Sequence, residues 1–282
     1  MMIDILLDTV MDCLKLVPFL LITYLAMEFL ENKTSDKTKH AIEKSGKFGP
    51  LIGGLVGAVP QCGFSAAASN LYAGRVITLG TLIAIFLSTS DEMLPIFISE
   101  AVAPVLILKI LAIKVVAGAV VGILIDLVIR RRNMKQEMNI ENFCEHEHCH
   151  CEHGVIKPAL MHTGRILIFI FITTFLLNAG IEFIGEDKLM NLVINRPIIG
   201  ELIAGVIGLI PNCAASVVIT QLYLEGIIQG GAMMSGLLVG AGVGILVLFK
   251  VNHNVKENLK IVGLLYVTGV VVGILIGLTG LV

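Results

Sequence analysis

The chain has 282 residues, of which 56% are hydrophobic and only 15% charged, with a formal net charge of -2. A mean hydropathy of +0.92 excludes an ordinary soluble domain, in which about 25% of residues are charged. The sequence also lacks a basic nucleic-acid-binding patch, a Walker A motif and the aspartyl loop of P-type ATPases. We therefore predict an all-α polytopic membrane protein, with membrane lipids but no nucleic acid as partners, that is not an enzyme.

Apolar runs near the ~20 residues that a helix needs to cross a bilayer follow one another along the chain. They cover residues 13–30, 48–73, 76–99, 103–129, 164–184, 198–224, 230–249 and 259–282. The runs divide four and four around a polar segment. This division predicts a first transmembrane repeat at 1–129, a linker at 130–158 and a second transmembrane repeat at 159–282. An acidic N-terminus unlike that of a signal peptide predicts that the first run is retained.

The second run of each half carries the same motif. The pattern GxxGxxPQCGFS begins at Gly54, and GxxGxxPNCAAS begins 151 positions later. The matched pairs are Gly54 and Gly205, Gly57 and Gly208, Pro60 and Pro211, Gln61 and Asn212, Cys62 and Cys213, Ser65 and Ser216, and Tyr72 and Tyr223. A membrane helix is interrupted in this way only where its backbone is buried or lines a cavity. A matched pair of interruptions is the best sequence indicator of a transporter's binding site.

The residue types at these interruptions point to a soft metal or metalloid. A cysteine thiolate suits thiophilic metals and would also suit trivalent arsenic, while amides and hydroxyls add oxygen ligands. A single buried cysteine is more often a small hydrophobe, and the amides could merely satisfy the broken backbone. Because the cysteines recur at matched positions, we predict a substrate site. Its members are Pro60, Gln61, Cys62, Ser65, Asn212, Cys213 and Ser216.

The third run contains a polar interruption formed by Ser88, Thr89, Ser90, Asp91 and Glu92. Intramembrane acids are candidates for function by default. Here they would ligate a cation, carry a proton for exchange, or pair with a lysine of the next span, at 109 or 114. The alternative is a plain outer loop between two spans. The second half has a glycine-rich segment at the matched place, which suits another discontinuous helix.

The linker carries a different kind of motif, FCEHEHCHCEHG. Its candidate metal ligands are Cys144, His146, His148, Cys149, His150, Cys151 and His153. They are too crowded for one fixed tetrahedral zinc site, so we predict a labile transition-metal tract that senses, buffers or delivers metal. The alternative is a disordered polar linker whose composition arose by chance.

The distribution of Lys and Arg residues favours one of two topologies. Eight crossings would make the halves parallel, whereas a re-entrant second run in each half would make them inverted. In the inverted reading, with the N-terminus outside, the cytosolic side holds 15 Lys and Arg residues and the outer loops hold only Lys188 and Arg196. Cytosolic loops are enriched in Lys and Arg. We therefore predict inverted repeats, each with three spans and a re-entrant or broken helical hairpin, and a cytosolic linker.

These motifs resemble those of the heavy-metal exporters related to the ArsP permeases, a family also described as arsenic efflux proteins and as manganese transporters. The resemblance rests on VPQCGFSAAASNLY, STSDEMLP, IPNCAASVVITQLY and GVGILVLFK, and it extends over nearly all of the chain outside the linker. It implies roughly ten membrane segments, which would fit six spans plus two hairpins that count twice. It also implies roles for Cys62, Cys213 and the segment 88–92.

We therefore predict a secondary-active transporter in the cell (inner) membrane that exports a divalent transition-metal ion, because imidazole-rich tracts suit such metals. The metal would be the substrate and the ligand of the linker, and transport would need no cofactor. One alternative is an efflux permease for trivalent arsenicals. Another is a membrane thiol-redox or metal-sensing protein without transport. The sequence is compatible with a homo-oligomer.

Overall fold

A computed structural model describes residues 48–59, 62–90, 93–131, 156–184 and 198–282, together with scattered helical positions between 6 and 25. The described residues form helices, turns and loops but no strand. The helices are α1 (Gly49–Gly57), α2 (Cys62–Ala73), α3 (Leu79–Ser88), α4 (Met93–Ser99), α5 (Pro104–Arg131), α6 (Ile156–Ile184), α7 (Ile199–Gly208), α8 (Cys213–Leu224), α9 (Gly230–Val239), α10 (Gly244–Val251) and α11 (Val255–Thr279).

Four stretches within the described part of the chain are long and apolar enough to cross a membrane. They are 79–99, 104–129, 230–251 and 255–279. The prediction of a polytopic helical membrane protein is therefore confirmed. The helix α6 begins at Ile156, earlier than its apolar run at 164–184, because polar residues continue the helix beyond its apolar part.

Four consecutive helices of the first half have counterparts in the second half. Helices α2 to α5 begin at residues 62, 79, 93 and 104, and helices α8 to α11 begin 151 positions later, at 213, 230, 244 and 255. The offset of the helices therefore equals the offset of the repeated motif. Both the second and the third apolar run of each half consist of two helices separated by a short interruption.

The first two helices of each half form a hairpin. A Cβ added to Gly49 at the start of α1 would meet Thr81, and one added to Gly57 at its end would meet Ser88. Helix α1 therefore runs alongside α3 in the same direction. Helix α2 must return, because it ends at Ala73, just before α3 begins at Leu79. The tip of this hairpin lies between Gly57 and Cys62.

Helices α7 and α8 repeat this arrangement beside α9. Gly231, near the start of α9, packs against the side chain of Glu201 near the start of α7, and Gly208, at the end of α7, packs against Gly236. The return helix α8 ends at Leu224, shortly before α9 begins. The tip of this second hairpin lies between Gly208 and Cys213.

The two halves interlock through their broken helices. Helix α10 of the second half packs on α2 of the first, and α4 of the first half packs on α8 of the second. The Ser69 hydroxyl of α2 donates a hydrogen bond to the Gly244 carbonyl at the start of α10, at 2.7 Å. Phe86, Leu82 and Leu237 belong to one buried apolar cluster that draws on both halves.

Small residues permit the closest helix contacts. A Cβ on Gly80 of α3 would overlap the Gly122 carbonyl oxygen of α5, and a Cβ on Gly122 would overlap the Gly80 carbonyl. At the matched crossing of α9 and α11, a Cβ on Gly231 would meet the carbonyl oxygen of Gly273, the residue matched to Gly122, and the Cα of Gly277. Small residues let helix backbones approach in this way within membranes.

The Gly80–Gly122 contact predicts the effect of a single methyl group. We expect Gly80→Ala to lower the free energy of unfolding by about 1–3 kcal/mol, because backbone atoms cannot move aside as a flexible side chain can. The measurement is thermal unfolding of the purified protein in detergent. Gly164→Ala in α6 is the matched control, since nothing lies within 4 Å of its added Cβ. Equal losses of stability in both variants would contradict this packing.

Candidate functional site

The chain is buried where it is interrupted after α3, at residues 89–90, and after α9, at residues 241–243. We call this region the central site and define it by the described residues 89–90 and 240–243, together with the described tip residues 58–59 and 209–212 that lie beside it. Each hairpin tip lies beside the interruption of the next helix pair, because Gly57 packs against Ser88 and Gly208 packs against Gly236. The two halves meet here through Lys114.

Lys114 lies on α5 and is only 1% exposed. Its ammonium donates one hydrogen bond to the Thr89 carbonyl of the first half and another, of 2.8 Å, to the Leu237 carbonyl of the second half. Both carbonyls lie at the ends of helices, where the backbone has no continuing helix to supply donors. The Lys114 side chain therefore supplies hydrogen bonds to free carbonyl groups at the ends of both α3 and α9.

The hydroxyl side chains after α3 are buried. Ser88, Thr89 and Ser90 are 0%, 3% and 1% exposed. Ser88 donates to the Ala84 carbonyl at 2.8 Å, Thr89 donates to the Ile85 carbonyl at 2.8 Å, and Ser90 donates to the Ser88 carbonyl at 3.2 Å. Such burial disfavours the alternative of a plain outer loop. The hydroxyl protons are engaged by the backbone, which leaves oxygen lone pairs for a ligand.

The structure describes more of the second hairpin tip than of the first. Cys62 and Cys213 are the first residues of α2 and α8, and their side chains lie outside the described part. Pro60 and Gln61 also lie outside it. Asn212 is 4% exposed and is the N-cap of α8, where its side-chain oxygen accepts from the Ala214 amide at 3.4 Å.

The serines of the two motifs have different surroundings. Ser65 is fully buried and lies against Gly244, so that a Cβ added there would come within 2.8 Å of the Ser65 Cβ. Ser216 is half-buried, and its carbonyl accepts from the Thr220 hydroxyl at 2.6 Å. The structure thus brings Ser65 close to the start of α10, across the boundary between the halves.

Other predicted ligands lie outside the described residues. These are Asp91, Glu92 and the seven linker residues Cys144, His146, His148, Cys149, His150, Cys151 and His153. In the part of the chain that the structure describes, no three His, Cys, Asp or Glu side chains gather into a metal-binding group. The proposed soft-metal ligands therefore remain predictions from the sequence.

A charged cluster at the base of the first hairpin was missed by sequence reasoning. Arg75 pairs with Glu257 of α11 through two hydrogen bonds of 2.8 and 3.1 Å, and the Tyr72 hydroxyl donates to the same carboxylate. Hydrogen bonding to Glu257 raises the pKa of Arg75 above its usual value, so the guanidinium stays charged. Arg75 adopts a φ of 58°, where its counterpart Gly226 has 72°. The cluster thus holds an arginine in a backbone region that favours glycine.

A carboxylate lies near the start of α3 in the first half and near the start of α9 in the second, and the two differ in their hydrogen bonds. Asp126 of α5 accepts from the Thr78 hydroxyl at 2.7 Å and from the Gly80 amide at 3.0 Å, at the start of α3. Glu201 of α7, which packs against Gly231 at the start of α9, is 6% exposed, and its buried Oε2 atom has no hydrogen-bond partner. Unpartnered buried polar atoms are rare, and no sequence pattern distinguishes Glu201 from an ordinary interhelical partner.

The fold and this site define a polytopic helical membrane protein whose helices are interrupted around a buried polar centre. Residues 1–183 match the model of the ArsP_2 family, described as "Putative, 10TM heavy-metal exporter". The chain therefore belongs to that family, as the motifs predicted. No curated protein and no solved structure matches the chain.

The cap at Asn212 allows its structural role to be separated from a role in transport. We expect Asn212→Ala to cost about 1 kcal/mol of stability through the lost cap and also to reduce transport at least tenfold. Asn254→Ala is the matched control, because Asn254 caps α11 in the same way, at 3.2 Å from the Glu257 amide, but lies in an exposed turn. Thermal unfolding and metal efflux are measured for both variants. Similar efflux losses in the two would contradict a direct role for Asn212.

Proposed function

We propose that the chain is a secondary-active transporter that exports a divalent transition-metal ion across the cell (inner) membrane. The observation that carries this proposal is the meeting of helix interruptions from both halves around Lys114. Discontinuous helices near a repeat interface form the ion and substrate sites of many transporters. Membership of a heavy-metal exporter family supports the same conclusion.

The ion pair between Arg75 and Glu257 supports inverted repeats. Arg75 precedes the α3–α4 span, whereas Leu106, the residue matched to Glu257 by the 151-residue offset, follows it. Arg75 and Leu106 therefore belong to opposite membrane faces. Parallel repeats would put Glu257 on the face of Leu106, away from Arg75. Their contact at 2.8 Å fits halves of opposite orientation.

This arrangement makes both hairpins re-entrant and gives each half three spans. The two tips enter from opposite faces and approach the centre of the membrane. The N-terminus lies outside and the 130–158 linker lies in the cytosol, where Lys and Arg accumulate. One half moves against the other and opens the central site to each side in turn.

Cys62 and Cys213 would serve as soft ligands, with Gln61, Asn212, Ser65 and Ser216 as their support. A helix N-terminus stabilises negative charge, and α2 and α8 begin at these two cysteines, so both positions favour the thiolate that binds metals. Asp91 and Glu92 would bind the cation or couple its movement to protons. The linker histidines and cysteines would load or sense metal.

The paired cysteines provide the direct test. We expect cells that express the wild type to lose one divalent metal selectively, and the Cys62→Ser/Cys213→Ser variant to lose that effect by about tenfold or more, since even supporting residues of metal sites are worth 10–100-fold. The measurement is the cellular content of Mn, Fe, Co, Ni, Cu, Zn, Cd and As by mass spectrometry, with arsenite and methylarsenite among the additions.

Cys13→Ser is the matched control, since Cys13 lies outside both motifs, and it should deplete metal as the wild type does. Depletion of arsenic alone, lost with the two thiols but unaffected by Asp91→Asn or by removal of the linker tract, would overturn the divalent metal in favour of a trivalent arsenical. No change in any element would contradict transport and favour a redox or sensing role.

A further inference from the structure

We propose that Lys114 is a tethered competitor of the transported cation: its ammonium fills a carbonyl site at the meeting of the two halves that the metal ion takes in turn. This inference rests on the proposed export of a metal ion and adds a mechanism of release. It assigns a specific role to a residue that the motifs leave out.

The Lys114 ammonium occupies a position of the kind that a bound metal cation occupies in a transporter. It is buried, and it is held by the Thr89 and Leu237 carbonyl oxygens, which lie 25 and 123 positions away along the chain. One carbonyl comes from the first half and the other from the second. In transporters with discontinuous helices, unwound backbone carbonyls of this kind coordinate the transported or coupling cation.

A lysine within an apolar span is costly unless polar groups receive it. An ammonium has three donors and no acceptor, and two of its donors go to these carbonyls. Helices α1, α3 and α9 contain no titratable residue. The charged groups nearest in sequence to this site are Asp91 and Glu92 in the adjoining interruption and Lys109 and Asp126 on α5 itself.

Two cations cannot occupy this site together. Unit charges about 4 Å apart repel by several kcal/mol at the effective dielectric of a protein interior, and a divalent ion doubles that repulsion. A metal ion that reaches the carbonyls must therefore displace the ammonium, and the returning ammonium must expel the metal. Lys114 would thus lower the affinity for metal and speed its release.

Only one half supplies this group. The residue matched to Lys114 by the 151-residue offset is Leu265 of α11, which is fully buried in the apolar cluster. A lysine that only filled space could recur in both halves, as the Gly80–Gly122 and Gly231–Gly273 contacts do. The single lysine instead makes the two halves of the site unequal in charge.

The test is the transport of Zn²⁺ and, in parallel, Mn²⁺ by the full chain in proteoliposomes, with KM and kcat measured separately. In Lys114→Gln the amide keeps two N–H donors for the carbonyls but carries no charge. We expect its KM to fall about tenfold or more and its kcat to fall by a similar factor, because the metal binds more tightly and leaves more slowly. A merely structural role would not lower KM.

Two further variants serve as controls for this measurement. Lys109→Gln removes an exposed lysine of the same helix and should change neither constant. Lys114→Arg keeps the charge, and its KM should not fall below that of the wild type. If Lys114→Gln does not fold, as judged by thermal unfolding in detergent, a lower KM in the arginine variant would by itself overturn the proposal.

The remaining outcomes separate this inference from the proposed function. A wild type that moves neither metal contradicts metal export and the inference with it. A wild type that transports, combined with an unchanged or higher KM in Lys114→Gln, contradicts the competitor alone. A higher KM in particular would mean that the ammonium binds an anionic cargo.

Discussion

The structure depends on one constraint: a helix interrupted within hydrocarbon must find partners for the backbone groups that it exposes. The chain interrupts its helices in both halves and brings the interruptions together, so that they share partners. Lys114 supplies hydrogen bonds to the ends of α3 and α9, and Asn212 caps the start of α8. The buried hydroxyls after α3 satisfy carbonyls of their own helix. These groups lie around the central site, where we propose that the cargo binds.

The contacts that hold the helices together recur in both halves, whereas the charged residues near the central site differ between the halves. Matched glycine contacts hold α3 on α5 and α9 on α11, and exchanged packing of α2 on α10 and of α4 on α8 joins the halves. Against this regularity, Lys114 faces the second half from the first without a matched lysine. Acids follow α3 where glycines follow α9. The central site therefore differs in charge between the two halves.

Much of the fold could be predicted from the sequence, because interruptions in apolar runs have strong residue signatures. Proline within the motif placed one kind of break, and hydroxyls, acids or glycines placed the other. The contacts of Lys114 could not be predicted in this way, since its partners are backbone carbonyls and any residue type has one. The pairing of Arg75 with Glu257 spans 182 positions, and neither residue belongs to a motif. The unpartnered atom of Glu201 depends on packing alone.

The central claim is that the two motifs form one metal site. It is tested most directly by X-ray absorption at a bound Zn²⁺ in a variant that lacks the linker tract FCEHEHCHCEHG and carries Cys13→Ser, so that Cys62 and Cys213 are its remaining cysteines. The account predicts one ion per chain with two sulfur ligands at about 2.3 Å. Replacing either remaining cysteine should leave one sulfur ligand. A bound ion without sulfur ligands would contradict the account. So would a number of sulfur ligands that does not fall when Cys62 or Cys213 is replaced.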